Sequence, residues 1–185
     1  RTLVKYGLTV LNKTRRVGLQ KLFEVAGIKT GVLDTYSIGW QIAPRINAAG
    51  RMDHANVAFA LLTTEDPKEA EQLAQQLNEA NTARQKETNR VVKEAREQIG
   101  QPSPGLRPPS PFGRGEGEGI YLLAAYDPSW MAGVIGLVAG RLMDEFRRPV
   151  LIATKNEKGI IVASARSIGE FNIVEALAAS KEYIL

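Results

Sequence analysis

Apolar residues recur at helical spacing through the first sixty positions of the chain. Residues 1–13 and 18–27 each place their apolar side chains on one helical face, and the second segment ends at Gly27, a residue type favoured just after a helix. Asp34 is a candidate N-cap for a third helix, which Pro44 is expected to interrupt because proline has no backbone N–H. The pattern predicts a first region made of helices.

A single long helix is predicted in the middle of the chain. Asp66 is a good N-cap residue, Pro67 suits the first helical position, and Gly100 ends the run. Apolar stripes occur near both ends, whereas residues 81–90 are almost wholly polar. Such a helix is expected to connect two domains through solvent. Two helices with a break near residues 78–82 are the alternative.

The segment QPSPGLRPPSPFGRGEGEG, residues 101–119, differs in composition from everything around it. It holds five of the nine prolines and almost no apolar residue able to anchor a core. Such a composition cannot offset the entropy lost on ordering, so we predict a flexible, low-complexity linker or insertion.

Beyond this linker the apolar pattern changes to that of alternating strands and helices. The segments are IYLLAAY (strand), MAGVIGLVAGRLMDEF (helix), PVLIATK (strand), IIVASARS (strand after a tight turn) and EFNIVEALAAS (helix). This β-α-β-β-α order predicts a crossover between two parallel strands, extended by an antiparallel hairpin strand. Gly136 and Gly140 lie inside the first helix, where glycine is unfavourable, and indicate close packing or ligand approach.

The chain is therefore predicted to be of the α/β class. Its expected parts are residues 1–65 (helical), 66–100 (connecting helix), 101–119 (linker) and 120–185 (a small mixed-sheet domain).

The composition limits which partners and which cellular location are expected for this chain. The 185 residues carry a net charge of +4, with 24 Lys+Arg against 20 Asp+Glu, which permits a nucleic-acid partner without demanding one. The chain has no cysteine, which excludes disulfides and fits a cytoplasmic protein. We see no apolar run of transmembrane length and no signal peptide, so no membrane partner is expected. The first residues, RTLVKYGL, read as the inside of a helix, which suggests a piece of a larger protein.

The segment IAPRINAAGRMDHANVAFALL, residues 42–62, combines two arginines with very small residues in front of an apolar helix. Arg45 and Arg51 lie six positions apart, with Asn47 and Gly50 between them. A segment built only for packing would carry larger apolar side chains. We expect a small, polar and anionic group to approach the backbone here.

A metal centre is not expected in this chain. His54, the single histidine, stands beside Asp53 at a helix start, where a capping or surface pair is the more common role. No cluster of carboxylates and histidines has metal-ligand spacing, and no P-loop or dinucleotide-binding motif occurs.

The segment VASARSIG offers a second candidate site. If residues 160–166 form a strand, its period of two places Ile160, Val162, Ser164 and Arg166 on one face. A hydroxyl and a guanidinium two residues apart can together hold a phosphate, since arginine presents a rigid fork of donors. A solvent-facing strand end is the alternative.

Several segments together resemble the RecJ family of single-stranded-DNA-specific exonucleases, in the DHH phosphoesterase superfamily. They are APRINAAGR, LNEANTARQKE, WMAGVIGLVAGRL, RRPVLIA and SARS, in that order. The resemblance implies the end of a DHH catalytic domain in residues 1–65, a connecting helix, and a DHH-associated domain in residues 120–185. It also implies 5′→3′ hydrolysis of single-stranded DNA in repair and recombination. The DNA would pass between the two domains.

The resemblance also implies which residues contact DNA. Arg51, Ser164 and Arg166 are expected to converge on the terminal 5′-phosphate. Further contacts are expected from Arg45, Asn47, Gly50 and Ser167. The alternative for both arginines near position 50 is a structural role, tying the helices to the connector. A single-strand-binding protein or a helicase is a candidate partner besides DNA.

The chain also departs from the family pattern. The resemblance implies two divalent ions, Mn²⁺ or Mg²⁺, in the full-length enzyme, but their Asp-His-His ligands are expected upstream of Arg1. A glycine-glycine-histidine motif is expected downstream of Leu185, and the histidine usual shortly after Trp130 is missing here. Residues 101–119 look like an insertion. We therefore expect this chain to bind no metal, to hold no catalytic residue and to be inactive alone.

Other functions stay open. Within the superfamily, an oligoribonuclease or nucleotide phosphatase shares the associated domain, and a similar domain occurs in alanyl-tRNA synthetases. A non-catalytic module that binds single-stranded nucleic acid, or protein, is a further alternative. Against that module, stacking platforms need exposed aromatic side chains, and only 6% of the residues are aromatic.

Deleting residues 103–117 is predicted to leave the thermal midpoint nearly unchanged. A flexible surface insertion makes few contacts, and loop-closure entropy varies slowly with loop length. Thermal unfolding of the deleted and intact chains measures this. A large loss of stability would show that the segment packs against the rest of the protein.

Overall fold

The computed structural model describes residues 1–52, 56–100 and 122–183. The predicted linker, residues 101–119, and the pair Asp53 and His54 lie outside the described residues. The chain divides into two compact units, Arg1–Gln85 and Lys86–Leu185.

The first unit is built from helices, as predicted. They are α1 (Thr2–Leu11), α2 (Val17–Val25), a π-helical turn (Ser37–Ile42), α3 (Ala43–Met52), α4 (Asn56–Thr63) and the first part of α5 (Pro67–Gly100). Their buried side chains form one core, which includes Leu22, Phe23, Leu61 and Leu77. The apolar faces of α2, α4 and α5 supply most of this core, whereas α1 has no buried residue and contributes only the partly buried Leu11.

Helix α2 ends at Val25 with Ala26 as its C-cap, and Gly27 is the C′ residue that the sequence predicted. Gly27 has a φ of 67°, and its N–H donates to the carbonyl of Glu24 at 3.1 Å. The N–H of Ile28 donates to the carbonyl of Phe23 at 2.9 Å. This pair of hydrogen bonds requires a positive φ at Gly27, and glycine adopts a positive φ without steric cost.

The expectation that Pro44 interrupts the third helix is wrong. Asp34 does cap the segment, since its Oδ1 accepts the Ser37 N–H at 2.8 Å. The backbone then forms the π-helical turn and passes directly into α3. In that turn the Ala43 N–H donates to the carbonyl of Ile38, five residues back. Proline in the first turn of a helix needs no intrahelical donor, and the wider π turn before it changes the hydrogen-bond register, so the helical path continues.

Helix α5 is one continuous helix of 34 residues, so the alternative of a break near residues 78–82 is excluded. The Asp66 carboxylate caps it by accepting a backbone N–H of the first turn at 3.0 Å. The middle of α5 is covered on one side, where Asn81 and Thr88 are 3% and 1% exposed, whereas Thr82, Gln85 and Lys86 are exposed to solvent. Asn81 is satisfied inside the protein, where its Oδ1 accepts from Arg84 at 3.0 Å. No helix in the described parts of the chain, α5 included, has both the length and the apolar character needed to cross a membrane.

The second unit confirms the predicted β-α-β-β-α order. It contains the rest of α5, then β1 (Leu123–Tyr126), α6 (Ala132–Phe146), β2 (Val150–Lys155), β3 (Ile161–Arg166), α7 (Ile173–Ala179) and a 3₁₀ turn (Lys181–Tyr183). The strand order is β1-β2-β3, with β1 parallel and β3 antiparallel to β2. The β2–β3 connection is tight because Asn156 accepts two backbone N–H groups and Gly159 has a φ of 76°.

The two faces of this sheet differ in what covers them. Val150, Ile152 and Thr154 alternate onto the face that packs against α6. The Thr154 hydroxyl is buried there and donates to the carbonyl of Trp130 at 2.6 Å. The other face carries small apolar residues of β3 and borders an open groove beside Leu177 of α7. The second core therefore lies between the sheet, α6 and the end of α5.

Gly18 gives a test of the packing in the first unit. A Cβ built on this residue of α2 would lie 1.6 Å from the carbonyl oxygen of Leu61 in α4. Gly18→Ala is therefore expected to separate the two helices and to lower the free energy of unfolding by about 2–4 kcal/mol. Chemical denaturation measures this.

The matched control is Gly7→Ala in α1, where nothing lies within 4 Å of the added Cβ. It is expected to stabilise the helix by up to about 1 kcal/mol, because alanine is the better helix former. Equal stability of Gly18→Ala and the unsubstituted chain would contradict the close contact.

Candidate phosphate-binding site

Strand β3 carries two of the predicted site residues on one face. Its register pairs Ser164 with Ile152 and Arg166 with Val150. Both partners are buried in the core beneath α6. Because directly paired residues of a sheet lie on the same face, Ser164 and Arg166 face α6 as well. The predicted alternation is confirmed within β3, although Ile160 precedes the strand.

Gly136 of α6 lies opposite this pair. A Cβ built on Gly136 would be 3.0 Å from the Ser164 hydroxyl oxygen and 3.5 Å from Nη2 of Arg166. Any side chain at this position would come into contact with both polar groups. The sequence indicated close packing or ligand approach at Gly136, and the structure shows α6 in close approach to β3.

The polar groups at this end of β3 are donors suited to an anion. Arg166 is exposed, and its Nη1 donates to the carbonyl of Ala165 at 2.8 Å. This bond uses one of the five N–H donors of the guanidinium, and the Ser164 hydroxyl adds a further donor. A guanidinium and a hydroxyl on one strand face can hold two oxygens of one phosphate.

Ser167 has a different environment from Ser164. Its hydroxyl donates to the carbonyl of Phe171 at 2.5 Å and so closes the turn that leads to α7. The hydroxyl proton is therefore used inside the protein. Its predicted contact with DNA stays a prediction.

The segment with the small residues forms helix α3, which the sequence had not predicted. Ala48 and Ala49 are buried in the protein, whereas Asn47 and Gly50 are exposed. The alanines therefore serve helix packing, and only the outer face of α3 is open to an anion. The backbone of Arg51 lies in α3, but its side chain lies outside the described residues.

Arg45 has structural partners within the first unit. Its Nε donates to Oδ1 of Asn78 on α5 at 3.0 Å, and its Nη1 to the carbonyl of Gln41 at 2.7 Å. Partial burial lowers the pKa of its guanidinium. These bonds correspond to the structural role, a tie to the connecting helix, that the sequence left open for Arg45.

The two candidate groups, on α3 and on β3, belong to different units, so their convergence stays a prediction.

Side-chain hydrogen bonds hold the last part of α5 against the sheet and α6. Trp130 donates from its indole nitrogen to Glu94 at 2.8 Å, and Arg96 pairs with Glu145 at 2.7 Å. These partners lie 36 and 49 positions apart in the sequence. No local signal in the sequence predicts such pairs. They hold α6, the helix that contains Gly136, in place against α5.

The side chains that the structure describes do not fit a divalent metal centre. Within residues 1–52, 56–100 and 122–183, no three His, Cys, Asp or Glu side chains come together as metal ligands. A metal ion of the Mg²⁺ or Mn²⁺ type needs several oxygen or nitrogen ligands at short distance. We therefore derive no metal-dependent step from these residues.

Comparison with known proteins finds relatives along the whole chain. Over its 185 residues the chain is 35% identical to the single-stranded-DNA-specific exonuclease RecJ of Bacillus subtilis, of which it covers 22%. It is also 34% identical to RecJ of Thermus thermophilus, of which it covers 24%. The chain is homologous to the RecJ exonucleases. No protein-family profile matches it.

The structural comparison agrees with the RecJ homology. A crystal structure of Thermus thermophilus RecJ in complex with Mg²⁺ matches 97% of the chain with a TM-score of 0.76 and 29% identity, and 25% of that protein is covered. A structure of exonuclease RecJ bound to manganese gives a TM-score of 0.73 and 31% identity over 98% of the chain and 41% of that protein. The chain thus spans about a quarter of the length of the curated RecJ relatives.

The polar contacts of α5 predict a pH dependence of stability. Arg90 donates to Glu87 at 2.6 Å and lowers the pKa of that carboxyl. A carboxyl with a lower pKa in the folded state stabilises the fold above its unfolded pKa of about 4, and this contribution is lost as the pH falls through the folded value. Glu87→Gln is therefore expected to lower the Tm near pH 7 and to approach the unsubstituted chain near pH 3.

Thermal midpoints between about pH 3 and pH 7 measure the effect. The control is Glu157→Gln, in the exposed connection between β2 and β3. If the Tm of Glu87→Gln differs from that of the unsubstituted chain by the same amount at every pH in this range, the Glu87–Arg90 pair is not the source of the pH dependence.

Proposed function

We propose that this chain is the DNA-recognition part of a RecJ-type 5′→3′ exonuclease that degrades single-stranded DNA in repair and recombination. The support is its homology to RecJ along its whole length, together with the donor groups on β3. Catalysis and the two divalent ions would belong to parts of a longer enzyme. The chain alone would therefore hydrolyse nothing.

The observation that carries this proposal is the absence of a side chain at Gly136. The side chains of Ser164 and Arg166 lie against the backbone of α6 there, since a Cβ on Gly136 would be 3.0 Å from the Ser164 hydroxyl oxygen and 3.5 Å from Nη2 of Arg166. A strand end used merely to meet solvent needs no glycine on the facing helix, and glycine inside a helix costs about 1 kcal/mol relative to alanine. A phosphate oxygen bound beside these two side chains would accept from the hydroxyl and the guanidinium together.

The terminal 5′-phosphate is the anion we assign to this site. Arg51 would contact the same phosphate from α3, with the DNA passing between the two units. Recognition of the terminal phosphate would determine where cleavage begins and so the 5′→3′ direction. Single-strand-binding protein or a helicase would supply the single strand.

The test is the preference for 5′-phosphorylated over 5′-hydroxyl DNA in the longer enzyme that contains this chain. Arg166→Ala removes a charged hydrogen bond worth roughly 1.5–3 kcal/mol, so the preference should fall about tenfold or more. Gly136→Ala should reduce it as well, because the added Cβ would lie 3.0 Å from the Ser164 oxygen. Cleavage rates on the two labelled oligonucleotides measure the ratio.

The matched control is Lys155→Ala on β2. It removes one positive charge from an exposed residue on the face of the sheet opposite Arg166. It should lower cleavage of both substrates alike or not at all. An unchanged ratio in Arg166→Ala, with the fold intact, would mean that the phosphate assignment is wrong.

A further inference from the structure

The first unit exposes a pair of stacked aromatic rings that the phosphate site does not use. Tyr36 and Trp40 are 61% and 73% exposed. Their ring centroids lie 6.2 Å apart with an interplanar angle of 28°. Large aromatic side chains are usually buried over most of their area, so two exposed rings stacked on each other need an explanation.

The backbone holds this pair in place. Tyr36 and Trp40 are four residues apart on one helical path, a spacing that places side chains on the same side of a helix. Asp34 accepts both the N–H and the hydroxyl of Ser37, at 2.8 and 2.9 Å, and Ser37 and Ile42 are buried. The rings therefore project from an anchored segment. That segment is a π-helical turn, a feature frequent at functional sites.

A basic segment begins close to the same place. Asn12 at the end of α1 binds the backbone of Leu33 twice, donating to its carbonyl at 2.9 Å and accepting its N–H at 2.7 Å. Lys13, Arg15 and Arg16 follow Asn12 directly, and all three are exposed. Leu33 lies three residues before Tyr36. The contact thus brings the start of the basic segment close to the turn that leads to the rings, while Arg15 and Arg16 also border Glu65.

We propose that Tyr36 and Trp40 form a base-stacking platform for single-stranded DNA. The rings would stack on one or two bases, and the basic segment Lys13–Arg16 would contact the adjoining phosphates. Stacking on aromatic rings tolerates any base, because every base has a π face, and nearby cations follow the backbone. The proposal rests on the proposed function, which makes single-stranded DNA the substrate, and adds a contact away from the terminal phosphate.

The charge beside the rings favours DNA over a polypeptide as the occupant. An apolar protein partner would require the lysine and arginines around the contact to lose water without a matching anion. A phosphate backbone supplies that anion at each nucleotide. Exposed aromatic rings next to unburied cations are the combination found in single-strand-binding grooves.

Tryptophan fluorescence tests the platform in the chain itself. The chain has two tryptophans, and Trp130 is buried, so Trp40 is the ring that a base can reach. Titration with a 5′-hydroxyl thymine 12-mer should quench the emission, and Trp40→Leu should abolish that quenching. The affinity for the labelled 12-mer should fall about fivefold or more in Trp40→Leu and change by less than about twofold in Trp40→Phe.

Two controls separate stacking from charge and from general effects. Phe59→Leu, which removes another exposed aromatic ring of the same unit, should leave the affinity unchanged. An abasic 12-mer has the phosphates without the bases, so it should bind the unsubstituted chain and Trp40→Leu equally. A 12-base-pair duplex should not quench Trp40, since its bases are already stacked on each other.

Equal affinity of Trp40→Leu and the unsubstituted chain for the thymine 12-mer would overturn the proposal. So would dimerisation of the chain without DNA that Trp40→Leu abolishes, because the rings would then belong to an interface between copies. The 12-mer has no 5′-phosphate, so its binding and quenching do not depend on recognition of that group. The platform and the phosphate site can therefore fail independently.

Discussion

Both hydrophobic cores depend on one helix, α5. Its first half places Ala70, Ala74 and Leu77 in the core of the first unit. Its second half places Val91 and Ala95 in the core of the second. Because the backbone hydrogen bonds of α5 are continuous between these positions, the register of the helix determines which side chains enter each core. A break or a shift within α5 would therefore disturb the packing of both units.

The candidate phosphate site follows from the second of these cores. Trp130 donates to Glu94 of α5, and its own carbonyl accepts the Thr154 hydroxyl of β2. These two bonds tie the start of α6 both to α5 and to the sheet. The approach of Gly136 to Ser164 is a consequence of this packing, and a side chain on Gly136 would crowd the Ser164 hydroxyl. Donors already held in place lose little entropy when they bind an anion.

An exonuclease must recognise a strand end and yet accept any sequence. A phosphate site meets the first need because a terminal phosphate carries more charge and more free oxygens than an internal one. Aromatic stacking meets the second because it is indifferent to the hydrogen-bonding edges of the bases. In this chain the two proposed kinds of contact would lie on different units, with the donors on β3 and the rings beside α3.

Local signals in the sequence determined the secondary structure and the alternation along β3. Gly27, Asp66 and the period of two through Ser164 act over a few residues, so the sequence alone predicted them correctly. The tertiary structure decided the rest: that a π turn carries the helix past Pro44, that Arg45 pairs with Asn78, and that the two aromatic rings remain exposed. Contacts between residues tens of positions apart depend on how whole elements pack, and no short stretch of sequence contains that information.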